Sequence, residues 1–430
     1  MTQIGERIVR ISLILMVILS LILSWKIWTN PSSNHALNEF NQKSNDVIQQ
    51  KKITDVYVPI KLFYQKSDDT ILYTNRESLI SNIQDEITNY KFSEGRVLSR
   101  SEAEQASQAP TRNVDLTFPT EMPISFYLDN YGVKATLPSE VKNSKFSRVI
   151  LDFDNSKVYF SSRTNETVIE YIVDGNFQKI LDMLENKDIT YYPVTLSNNN
   201  VSNVYYLSKP SNLKIYSYII ATQSFTTFSK AFFNQSEDLY LGENGADSDV
   251  NLSNGEGESL TIQSKTGEVS YFGKLQYSKD DIYFSTFKYI ENLGNTIGSL
   301  RYSEAKTNEI IYRNYVEGFP VFGNHSKGVV DIAIQNQKNV RILTNQETIQ
   351  IPIPSNDTVT LPQTTEMLAD LENHGIDKSK ILDMQIGYEW QSNTETKQVV
   401  DLVPKWYLNY NGSWKSNEQL RSELQEGVVD

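Results

Sequence analysis

The segment Ile11–Ser24, ISLILMVILSLILS, constrains this chain more than any other, because its only polar side chains are serines able to hydrogen-bond back to their own helix. With the flanking Ile8, Val9, Ile27 and Trp28, the apolar stretch approaches the roughly 20 residues a helix needs to cross a hydrocarbon core about 30 Å thick. Arg7 and Arg10 precede it, Trp25 and Trp28 stand where an interfacial aromatic belt belongs, and Lys26 can snorkel outward. The arginines assign the N-terminus to the cytoplasm and everything after Trp28 to the outside. The expectation is a single-pass cell-membrane protein with its cytoplasmic tip and transmembrane helix in residues 1–28. A cleaved signal peptide would have a shorter apolar core followed by small residues. The bulky Trp25-Lys-Ile-Trp28 follows instead, so the anchor is read as retained. A lipid-modified cysteine is ruled out, since the chain has no cysteine.

Charge divides the chain in the same place. Its 430 residues carry 40 Lys+Arg against 53 Asp+Glu, a net −13, yet the first 28 residues are at +2 and the remainder at −15. An acidic exterior opposes broad phosphate-backbone binding, so nucleic acid is excluded as a partner class. The missing cysteines remove disulfides, thiolate zinc sites and cysteine nucleophiles together.

Residues 29–52, rich in Asn, Ser, Gln and Lys, read as a juxtamembrane stalk. From Ile53 onward short Val/Ile/Tyr/Phe runs broken by Asn, Ser, Asp and Gly indicate strands. Val149–Asp154, Val158–Ser161 and Val168–Val173 form an expected meander, and Leu213–Ala221 a further strand. Helical spacing of Leu79, Ile80, Ile83 and Ile87 predicts a helix over 77–90, with Thr74 and Asn75 as caps. Phe177, Ile180, Leu181 and Leu184 predict a second. Met367, Leu368 and Leu371 predict a third, with Thr364 or Thr365 at its start and Gly375 at its end. The fold class is α+β: an N-terminal transmembrane helix, then a β-rich extracytoplasmic part with antiparallel sheets and a few amphipathic helices. The Gly/Asn cluster at 241–257 suggests modules at 53–118, 119–240 and 241–430.

Catalysis finds little support. Ser285-Thr-Phe-Lys288 is an S-x-x-K and Lys265-Thr-Gly267 a K-T-G, but their order is the reverse of that in penicillin-recognising serine enzymes. Lys265–Gly267 reads more simply as a hairpin turn. Ser211-Asn-Leu-Lys214 has the right order but runs into a strand. His35, His325 and His374 are scattered, and no P-loop, G-x-S-x-G or H-E-x-x-H pattern occurs. No enzyme activity, cofactor or metal is expected. Asp247, Asp249, Asn251 and Glu258 fall at EF-hand-like positions for Ca²⁺, but Leu252 stands where the loop needs glycine. Trp390, Trp406 and Trp414 on alternating strands read as core, with a carbohydrate platform as the competing account.

Attention therefore returns to the anchor. Ser12, Met16, Ser20 and Ser24 recur every fourth residue, giving a small-side-chain face on which another transmembrane helix could pack closely. Serine is also simply tolerated in spanning helices, and both accounts stand at this level. The run Leu21–Thr29, LILSWKIWT, resembles the N-terminus of the YycH family. Supporting similarities are Ala231-Phe-Phe233 before the Asn/Gly-rich loop, the closing Gly387–Trp390 and Val399–Trp406, and the overall layout. The resemblance implies a non-enzymatic regulator of the WalK/WalR (YycG/YycF) two-component system, which controls cell-wall metabolism. It implies association in the membrane with the sensor kinase WalK and a YycI-like protein, through transmembrane and outer domains. It also implies restraint of the kinase as the usual effect, activation in some lineages, and a C-terminal portion similar to YycI. A membrane-anchored protein that binds wall glycan or peptide is the alternative function.

Overall fold

The computed structural model describes residues 51–66, 70–108, 112–163, 166–197, 204–234, 239–241, 249–277, 281–393, 396 and 398–425, together with Met16 and Ser20. Residues 1–50 and 51–430 are separate compact units. In the first, Met16 and Ser20 are helical and exposed. The other expected anchor positions, Arg7, Arg10, Ser12, Ser24, Trp25, Lys26 and Trp28, lie outside the described residues, as does the stalk up to residue 50. Among the described residues no helix is long and apolar enough to cross a membrane.

The second unit begins on an antiparallel sheet of ten described strands, with the central order 192–197, 71–74, 61–65, 113–123, 145–152, 157–161, 168–174. Strand periodicity explains why this sheet has two different faces. Leu62 lies opposite Leu116, Leu116 opposite Val149, Val149 opposite Phe160, and Phe160 opposite Ile169, so one apolar row crosses five strands. One residue along, the row Lys61, Thr117, Arg148, Ser161 faces the other way. The apolar row is covered by the helices Glu77–Ile87, Ile124–Tyr131 and Phe177–Leu184, whose Ile80, Ile83, Tyr127, Ile180 and Leu184 share its core.

The helix ends obey local chemistry. Asn176 caps the third helix by accepting from Lys179 N–H at 3.2 Å. Gly132 ends the second at φ +66°, and Val133 N–H reaches back to Leu128 O. For the helix Glu77–Ile87 the expected caps are corrected: Arg76 occupies the cap position. Thr74 Oγ1 accepts from the Arg76 N–H, while the Asn75 amide is drawn away to Glu317 O at 3.2 Å. A tertiary partner there outcompetes the local one.

A second, larger sheet follows the order 240–241, 250–253, 259–262, 268–274, 339–345, 329–335, 309–316, 319–322, 381–392, 399–410, 216–222, 347–353. Phe319–Phe322 runs parallel to Ile381–Ser392, while the other described pairs are antiparallel. One expected module limit falls inside a strand and a second is bridged by strand pairing. Asn113–Pro123 passes through 118/119, and Tyr216–Thr222 pairs with Val399–Tyr410, deep inside the later module. The expected helix at 364 is Thr364–Asn373, with Gln363 at its cap. Trp390 and Trp406 are buried in the core beneath this sheet, and Trp414 lies tilted against Phe322 with centroids 6.1 Å apart.

Residues 51–57 enter this unit firmly held. Lys51 donates to Gly298 O at 2.7 Å and Asn295 Oδ1 at 3.2 Å, and its burial lowers its pKa to about 8 against the opposing pull of Asp55. Tyr57, 1% exposed, donates to Tyr283 O at 2.9 Å and sits 2.6 Å from the Tyr312 hydroxyl. Tyr302 and Tyr283 both donate to Glu121 O, tying the second sheet to the first.

Candidate functional site

The motifs that suggested chemistry resolve into structure. Ser285 is buried inside the helix Ile282–Leu293, where its hydroxyl donates to Asp281 O at 2.9 Å, far from any nucleophile geometry. Lys265–Gly267 is the turn between Ser259–Ile262 and Glu268–Lys274, and Gly267 takes φ +72°. His325 occupies a turn at φ +54° and His374 the C-cap of Thr364–Asn373, while His35 lies outside the described residues.

The described EF-hand-like residues are spread over a paired hairpin. Asn251 is on the strand Val250–Ser253, bonded to Thr261. Glu258 is buried and accepts from Tyr271 and Asn254. Asp249 accepts from the Ser264 N–H, and Asp247 lies outside the described residues. A paired hairpin cannot wrap a cation as an EF-hand loop does. Among the described residues no group of three His, Asp or Glu side chains converges to hold a metal.

The concave feature with chemical character lies where the polar face of the first sheet meets the second. It is a pocket with about 100 Å³ open to water-sized atoms. Its walls are mixed: Phe63 and Phe118 from the first sheet and Met384, Ile386 and Trp406 from the second are apolar, and Thr117, Thr120, Ser147 and Gln385 are polar. Trp406 is held in place by donation from its indole N–H to Pro362 O at 3.0 Å. Lys61, Arg148 and Arg163 bring three cations and Asp383 one carboxylate.

These charges are unequally matched. Arg148 pairs with Asp115 at 2.5 Å, both side chains nearly buried, and Asp115 also accepts from Thr117. Arg163 pairs with Asp383 at 2.7 Å. Lys61 makes neither ion pair nor hydrogen bond through its ammonium among the described residues. Its pKa is lowered chiefly by desolvation, with Asp383 opposing and Arg163 adding to the fall. The pairing register explains the layout: Lys61 stands opposite Thr117, and Thr117 opposite Arg148. Lys61 and Arg148 are therefore two strands apart, about 10 Å, on one face. None of these charged residues stands out in the sequence, whereas the pocket's Trp406 does. The available signal was a charged residue alternating with Phe63 on a strand otherwise committed to burial.

Comparison with known proteins then fixes the relationship. The model of the YycH protein N-terminal domain matches residues 6–188, and that of the YycH protein C-terminal domain matches residues 201–423. The chain belongs to the YycH family. A curated Bacillus subtilis (strain 168) protein, the two-component system WalR/WalK regulatory protein YycH, is 21% identical over 451 residues, covering 95% of each chain. The crystal structure of YycH from Bacillus subtilis superposes with a TM-score of 0.70 at 14% identity, over 86% of this chain and 97% of that one. That likeness establishes a shared YycH fold. In the frame of the YycH domains, the Arg163–Asp383 ion pair joins the N-terminal domain to the C-terminal one, and the pocket is built from both.

Proposed function

We propose that this chain is a non-enzymatic regulator of a membrane sensor histidine kinase of the WalK (YycG) type, modulating two-component signalling linked to the cell wall. The observation carrying this reading is the full-length alignment: both YycH domain models match in order, and the named relative aligns over 95% of each chain. In this reading the anchor places the N-terminus in the cytoplasm and the folded body outside. The serine face of the helix then meets the kinase or a YycI-like protein in the bilayer. The direction of regulation proposed is restraint of the kinase.

One physical feature supports coupling between anchor and exterior. Residues 51–57, which continue directly from the N-terminal unit, are fixed into the exterior core by Lys51 and Tyr57, so a displacement of that segment is felt by both sheets. Cross-linking in native membranes, followed by mass spectrometry of partners, tests the proposal. Kinase peptides cross-linked to this chain are the expected result. Their absence under conditions that cross-link the kinase to itself would sink it.

A further inference from the structure

The pocket between the two sheets has a composition that a purely structural seam does not need. Of its charged groups, Arg148 is neutralised by Asp115 and Arg163 by Asp383, which leaves the Lys61 ammonium as one positive charge in excess. A buried interface between domains is best closed by apolar contact, and an uncompensated cation within it is costly. Here the cation lines an open cavity in which Phe63, Phe118, Met384, Ile386 and Trp406 supply apolar wall beside the paired charges and the polar Thr120, Ser147 and Gln385. Single positive charge and apolar surround together describe the complement of a small amphipathic anion.

Size and charge narrow the class. The space of about 100 Å³, at roughly 10–15 Å³ for each water-sized centre, holds on the order of seven to ten heavy atoms. One excess positive charge is neutralised by a monoanion, whereas a phosphate dianion would leave a net negative charge against an apolar wall. Lysine supplies a point charge with rotatable donors suited to a carboxylate.

We infer that this pocket is a binding site for a small monocarboxylate with an apolar tail, its carboxylate on Lys61 and its tail against Trp406, Met384 and Phe63. Two sources share that chemistry: a short acyl carboxylate and the C-terminal residue of a peptide. Because the walls come from both YycH domains, such a ligand would tighten their contact. The inference is independent of whether the chain regulates a kinase.

The test is titration calorimetry on the full chain in lipid nanodiscs, with hexanoate for the acyl source and N-acetylalanine for the peptide source. Hexanamide and inorganic phosphate serve as neutral and dianionic comparisons. Saturable binding of one or both carboxylates is expected, and whichever binds tighter identifies the source. Lys61→Met should weaken it by at least about tenfold, the scale of one hydrogen bond to a charged group, with Lys61→Arg retaining most of the affinity. Lys61→Gln repeats the charge removal with a polar tip should the methionine variant fold poorly. The site is overturned if neither carboxylate gives saturable heat, if hexanamide or phosphate binds as tightly, or if removing the Lys61 charge leaves affinity unchanged. A lysine that simply gives up its proton in the pocket would produce those outcomes.

Discussion

The hydroxyls of Tyr57 and Tyr312 lie 2.6 Å apart inside the core, and Thr286 Oγ1 stands 2.7 Å from the same Tyr312 oxygen. Burial raises the pKa of both phenols, so they remain neutral and share protons as donor and acceptor rather than as charges. The pair joins the start of the second unit to the strand Glu309–Val316 of the second sheet, more than 250 residues later in the chain.

Tyr57→Phe keeps the ring packing against Phe126 and Tyr302 but deletes the hydroxyl, leaving Tyr283 O without that donor. The expected loss is about 1–2 kcal/mol, read as a lower urea midpoint with unchanged slope. Tyr312→Phe should cost a similar amount. The double variant should cost less than the sum, because each single change already breaks the shared bond.

Arg148 and Asp115 form the most deeply buried ion pair on the polar face, with Asp115 1% exposed. Arg148→Met strands that carboxylate and should destabilise the fold by roughly 3–5 kcal/mol. Arg148→Met with Asp115→Leu should recover most of the loss, since an apolar pair of similar volume avoids desolvating either charge. Equal stability of the single and double variants would contradict the assignment.

Asp331 supplies a pH signature. Burial, then the nearby Glu309 carboxylate, raises its pKa to about 6, against the opposing pull of Arg341. An unfolded Asp titrates near 3.9. Between those values the folded protein binds the extra proton, so this residue's contribution to stability falls as pH rises through the window, and its penalty is complete above about 6. Asp331→Asn removes the titration at the expense of a 3.5 Å contact with Arg341 and the attraction of Lys306. The variant should gain on the order of 1–2 kcal/mol at pH 8 and nothing at pH 4, measured by urea unfolding across that range.

Much of the fold was legible because local pattern and tertiary environment agree. The meander appears as Lys145–Asp152, Lys157–Ser161 and Val168–Asp174, and the helix after it as Phe177–Leu184, where apolar period and burial coincide. Lys265–Gly267 was legible as a turn because only the backbone of glycine accepts its φ without strain. The module limits were not, because strand pairing reaches across sequence: Tyr216–Thr222 joins a strand nearly 200 residues away, which no composition shift marks. The pocket was hidden for the same reason. Lys61, Arg163 and Asp383 are single charges in three distant segments, and only the packing of two sheets makes them neighbours. The family resemblance, in contrast, rested on terminal strings and layout, which survive sequence change better than contacts can be inferred from it.

The helix-contact proposal makes a prediction of its own kind, since it concerns association and not folding. Met16 and Ser20 lie four residues apart on exposed helix, and the sequence places Ser12 and Ser24 on the same stripe. In lipid, two helices gain little from apolar contact, because lipid tails are equally apolar, so close approach across small side chains is what stabilises a pair. Ser20→Leu with Ser24→Leu fills that stripe without reducing hydropathy, and insertion in the membrane should be unchanged. Co-purification with the kinase should fall several-fold, corresponding to roughly 1–2 kcal/mol of lost packing and interhelical hydrogen bonding. Equal bulk placed on the opposite face, as Ile18→Phe, should leave it intact. Undiminished recovery of the kinase with the double leucine variant would move the coupling route from the helix to the outer domains.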